Sequence, residues 1–129
     1  MFCFEPLIIS AVSNNNIFFV KTLVFLGKDI NVKDSDNNTL LMIACKKGFF
    51  DIVQFLIEKN AYLNLQNNNG YTALMIAISN DHNNIATLLV CNNANIQLSN
   101  IYGDTALTIS ILHNKTAFCN FLFLNGAVI

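Results

Sequence analysis

The chain has 129 residues, enough for one domain, with 53% hydrophobic and only 12% charged residues and a formal net charge of −1. It has no apolar run of about 18 residues, no basic block, and Glu5 and Pro6 in its first ten residues. Those features disfavour a membrane-spanning helix, charge-driven binding to nucleic acid or anionic membranes, and a signal peptide.

Taken from the start, Met1-Phe2-Cys3-Phe4 reads as a crude aromatic cap. Pro6 suits the first helical position, where its missing N–H costs nothing. Residues 7–13 predict one helix, Asn14-Asn15-Asn16 a turn, and residues 17–25 a second helix with Val20, Leu23 and Val24 on one face. Gly27 ends that helix. Asn37 stands where a loop tip needs positive φ, and Thr39 then opens a helix over 40–47. Gly48 turns the chain into an amphipathic helix over 50–59, with Ile52, Val53, Leu56 and Ile57 inward and Glu58 and Lys59 solvated. Helices over 73–80, 83–92, 106–113 and 116–125 follow. The last is too apolar for the polar outer face that ends a stacked array.

The pattern has a fixed step. Thr39, Thr72 and Thr105 are 33 residues apart, as are Leu23, Leu56, Leu89 and Leu122, and Ala11, Ala44, Ala77 and Ser110. A constant period of this size marks a stacked repeat. The units run approximately over 1–33, 34–66, 67–99 and 100–129. The small residues at 11, 44 and 77 predict close approach of successive first helices.

Gly70-Tyr71-Thr72-Ala73-Leu74 and Gly103-Asp104-Thr105-Ala106-Leu107, the inter-helix Gly48, the later His82, Ile52-Val53 with Leu56-Ile57, and Ile85 with Leu88-Leu89 resemble the ankyrin repeat. The resemblance covers essentially the whole chain. It implies an all-α solenoid of stacked helix-turn-helix units linked by short β-hairpin loops, in a single domain over 1–129. It departs at the Thr-Pro-Leu-His segment. The proline appears only as Pro6, and the histidine is replaced by Ile9, Met42, Met75 and Thr108. The loss of any relay through that histidine predicts lower stability than a consensus array.

The resemblance also implies non-catalytic binding of another protein through the hairpin tips and the concave face of the first helices. Carried over by register, the contact candidates are Asp36, Asn38, Lys46 and Lys47 in the second unit and Asn69, Tyr71 and Asn80 in the third. In the fourth they are Ile101, Tyr102, Asp104, Leu112 and His113. Tyr71, Ile101, Tyr102 and Leu112 are expected to be exposed, and exposed apolar groups with a polar surround are usual anchors of an interface. Single exposed apolar residues are also normal, so packing between hairpins is the bland alternative.

His82 is expected to serve the turn. Neither histidine has a second ligand at metal spacing, no nucleophile is set against a base, and the tip glycines form no phosphate loop. No cofactor, metal or enzymatic activity is expected. The four cysteines, Cys3, Cys45, Cys91 and Cys119, show no Cys-x-x-Cys spacing. The last three fall at helix positions expected to be apolar, which predicts buried thiols in a reducing intracellular compartment, or the host cytosol if the chain is a secreted effector. Two further expectations concern partners. The chain could be the docking segment of a larger effector, channel or enzyme. It could also self-associate across a two-fold axis through Phe118, Phe121, Leu122, Phe123 and Leu124.

Overall fold

A computed structural model describes residues 6–128. The start read as an aromatic cap, and Cys3 with it, lies outside the described residues. Four helix pairs follow one another: α1 (Leu7–Ser13) with α2 (Ile17–Phe25), α3 (Leu40–Lys47) with α4 (Phe50–Glu58), α5 (Ala73–Ser79) with α6 (Asn83–Cys91), and α7 (Ala106–Leu112) with α8 (Thr116–Leu124). The first helices α1, α3, α5 and α7 pack side by side in one row, and α2, α4 and α6 form the second row behind them. Among the described residues, the only β-pairing is an isolated bridge between Lys33 and Thr39. The expected hairpins are therefore turns, not strands. No helix among the described residues is long and apolar enough to cross a membrane.

Local chemistry sets where each helix starts. The hydroxyls of Thr39, Thr72 and Thr105 accept from the backbone N–H of Met42 (3.2 Å), Met75 (3.2 Å) and Thr108 (3.3 Å), satisfying one orphan donor of each helix. Pro6 does the same job differently. It sits at the N-cap, one residue before its expected place, because its ψ of 140° is still extended, and its carbonyl accepts from Ile9 at 2.9 Å.

The ends are just as regular. Each of the eight helices among the described residues is closed by a left-handed residue: 15, 48, 81 and 114 after the first helices, and 27, 60, 93 and 126 after the second. In α2, Gly27 donates to Val24 O (2.9 Å) and Lys28 to Leu23 O (3.1 Å), the paired bonds of a Schellman motif. Asn60, Asn93 and Gly126 repeat them. Asparagine fills four of these eight sites, at φ between 54° and 66°. It tolerates that region best after glycine, which accounts for part of the asparagine-rich composition. Helices expected over 50–59, 73–80, 83–92, 106–113 and 116–125 each stop one residue early, with Lys59, Asn80, Asn92, His113 and Asn125 as C-caps.

The core runs the length of the array between the two rows. Ala11, Ala44, Ala77 and Ser110 are all buried, as are Leu23, Leu56, Leu89 and Leu122. Ile9, Met42 and Met75 fill the place of the missing histidine with buried apolar bulk. One expectation fails here. Cys45 is buried, but Cys119 is half-buried and Cys91 is exposed, because position 91 lies on the outward column of Phe25, Glu58 and Leu124. In α8, Phe118 and Leu122 belong to the core and Phe121 is half-buried with its ring centroid 5.5 Å from that of Phe118. Only Phe123 and Leu124 of the expected self-association set are exposed.

Candidate binding groove

Each loop tip is built on one side chain. The Oδ1 of Asp34 accepts from the backbone N–H of Asp36 and of Asn38, both at 2.9 Å. One step on, Asn67 holds Asn69 and Tyr71, both at 3.0 Å. A second step on, Asn100 holds Tyr102 (2.9 Å) and Asp104 (3.0 Å). These are Asx turns, and a left-handed residue, Asn37, Gly70 or Gly103, completes each.

The tips then stack. Asn68 N–H donates to Asp36 O and Ile101 N–H to Asn69 O, both at 3.1 Å. Asn37 Nδ2 donates to Asn68 Oδ1 (2.7 Å) and Asn67 Nδ2 to Asn38 Oδ1 (2.8 Å). By the same register Asn100 Nδ2 would reach for position 71. Position 71 is a tyrosine, and the buried Asn100 Nδ2 finds no partner among the described residues. The missing acceptor is the physical consequence of Tyr71 standing where the repeat before has Asn38.

At the other edge, the turns between paired helices lock together. Lys47 Nζ donates to Ser13 O at 3.2 Å. His82 Nε2 pairs with Lys46 O at 3.1 Å, and its ring lies so close to Gly48 that a Cβ there would sit 2.6 Å from Cε1. His82 therefore serves the turn, as expected. Lys115 forms an ion pair with Asp81. The hydrogen bond and charge of Lys115 hold the Asp81 carboxyl below its ordinary value.

Between tips and turns, along the first helices, lies a groove of about 770 Å³. Its walls include seven expected contact residues: Asp36, Asn38, Lys46, Lys47, Asn69, Tyr71 and Asn80. Ile9, Met42, Ile43 and Ile76 also line it. Asp34 and Asn67 were not among the contact candidates. Their signal is an Asx residue three places before each left-handed tip residue, at the 33-residue step. Tyr71 is half-buried and packs against the core, contrary to its expected exposure.

Ile101, Tyr102, Asp104, Leu112 and His113 lie outside the groove itself. They occupy the positions one step beyond Asn68, Asn69, Tyr71, Ser79 and Asn80. Ile101, Tyr102 and Leu112 are each more than 60% exposed, so the polar wall turns apolar at the fourth repeat.

Comparison with protein families matches a model described as Ankyrin repeats, in 3 copies, over residues 8–100. The chain belongs to the ankyrin repeat family. Ankyrin repeats are generally non-catalytic protein–protein interaction modules. The match ends at the tip of the fourth helix pair, so α7 and α8 lie beyond it. No curated protein matches the chain. Within the ankyrin array, the exposed Asp36 on the tip edge and the exposed Lys46 and Lys47 on the turn edge give the groove opposite charges on its two walls.

Proposed function

We propose that the array is a non-catalytic docking module that holds another protein along the concave groove. The carrying observation is the groove of about 770 Å³, walled by amide and charged side chains from successive tips and helix ends. The partner segment lies along the amide wall, with its polar groups meeting Asp36, Asn69, Lys46 and Asn80. An apolar side chain anchors on Ile101, Tyr102 and Leu112, where the wall becomes apolar. The same groove would serve the chain acting alone or as the docking segment of a larger effector, channel or enzyme.

The test is affinity capture from the source cell with three baits, each shown to be folded by circular dichroism. They are the wild type, an Asp36→Ala/Lys46→Ala/Asn69→Ala variant of the groove, and a Phe18→Ala/Phe25→Ala variant of the second-helix row. A protein captured by wild type and by the second-helix variant but lost from the groove variant supports the reading. Equal capture by the groove variant overturns it.

A further inference from the structure

The groove carries two charges that the fold leaves without a partner. Among the described residues the one ion pair joins Lys115 to Asp81, so neither the Asp36 carboxylate nor the Lys46 ammonium is engaged inside the array. Lys47 differs, because its Nζ donates to Ser13 O. Asp36 sits at a tip and Lys46 near the end of α3, and both are exposed in the groove walls. The 8 residues of α3 separate the walls by about 12 Å, at 1.5 Å of rise per residue. Half-buried Ile43 and buried Ile76 give the groove an apolar floor.

Walls of opposite sign restrict what can lie between them. In an extended chain successive side chains point to opposite sides, so neighbouring acidic and basic residues reach Lys46 and Asp36 at once. An extended segment also carries unpaired backbone N–H and C=O groups, which a helix bonds internally. The groove meets them with amides. Among the described residues Asn69 is bonded through its backbone and keeps both side-chain amide groups open. Asn80 uses Nδ2 on Ile76 O and keeps Oδ1 open.

The register then sets a distance. Exposed Tyr102 and Leu112, on the apolar wall beyond the groove, stand two 33-residue steps after Asp36 and Lys46. Neighbouring first helices pack about 8–10 Å apart, so the two places are roughly 16–20 Å apart. An extended chain covers that in about five or six residues, whereas a helix needs about 11–13.

We infer, resting on the docking reading of this groove, that the partner presents an extended segment with a defined pattern. An acidic residue facing Lys46 stands next to a basic residue facing Asp36. A large apolar residue about five or six positions away seats on Tyr102 and Leu112.

The experiment selects a displayed library of random peptides, long enough to hold either spacing, on the full chain. Enriched sequences should carry an adjacent acid–base pair with a large apolar residue at the extended spacing. Lys46→Glu makes the free charge of both walls negative and should turn the enriched pair into two bases. Asp36→Lys makes both positive and should turn it into two acids. Both substitutions fall at exposed positions, and circular dichroism checks that the variants fold. A synthetic peptide enriched on wild type should bind either variant several-fold more weakly, with the gap narrowing as salt is raised. An unchanged pair on either variant overturns the inference, and so does an apolar residue at the helical spacing. In both cases peptides lost by the Asp36→Ala/Lys46→Ala/Asn69→Ala variant would leave the groove standing as a docking site. A library that yields no groove-dependent peptide also overturns the inference, and the affinity capture above then decides the docking reading by itself.

Discussion

Adding one methyl group at equivalent tips separates backbone strain from contact between repeats. Gly70 and Gly103 share a register position and nearly the same backbone, at φ +76° and +82°. An alanine at either must hold a left-handed conformation, which costs about 1–2 kcal/mol. Nothing lies within 4 Å of a Cβ at Gly103. At Gly70 that Cβ would stand 2.8 Å from Asn100 Cα and 2.9 Å from Ile101 N, both backbone atoms of the next tip. Relieving the contact requires a shift of roughly half an ångström between tips three and four. That shift pulls on the Ile101 N–H to Asn69 O bond, and overpacking of this kind costs typically 1–3 kcal/mol. Gly103→Ala should therefore lose about 1–2 kcal/mol and Gly70→Ala about 2–5 kcal/mol. Urea denaturation followed by helical circular dichroism measures both. Equal losses, or a larger loss at Gly103, would refute the stacking of tips as an energetic contact.

Other substitutions and reagents probe other parts of the array. Ala77→Leu puts a large side chain into a fully buried site between first helices, and should lower the melting temperature through overpacking of about 1–3 kcal/mol. Lys115→Met should return the Asp81 carboxyl to its ordinary range, read by NMR titration, since the Lys115 hydrogen bond and charge are the main causes of its lowering. Because the folded value is depressed, the stabilisation by this pair is present above the unfolded value and is lost as pH falls through the folded one. The variant should therefore show a weaker loss of stability in acid than wild type. Burial pushes the Cys45 thiol up, so under native conditions a thiolate-directed alkylating agent should label exposed Cys91 before Cys45, resolved by peptide mapping. Fast labelling of Cys45 would contradict its place in the core.

Most of the fold was legible because its signals are local and periodic. The threonine caps, the alanine and leucine columns and the left-handed turn residues all lie at the 33-residue step, and each has a chemical reason to be there. The ends of five helices were one residue off because their C-caps, such as Lys59 at φ −89° and ψ 14°, stay near helical backbone. Side-chain type does not mark that change. Cys91 was misread because residue type was weighed above its column, which faces outward in every repeat. Tyr71 shows the other limit. Its exposure depends on how the next tip packs, and its effect on Asn100 Nδ2 appears only once two tips are brought together. The groove positions followed from register, whereas its polar-to-apolar change at the fourth repeat needed the exposures of Ile101, Tyr102 and Leu112.

The most direct test of the groove is hydrogen exchange of the array with and without the captured partner. The account predicts new protection at tips 34–38 and 67–71 and at the C-terminal ends of α3 and α5, with α2, α4 and α6 unchanged. Protection confined to the second-helix row, with the tips exchanging as before, would contradict it.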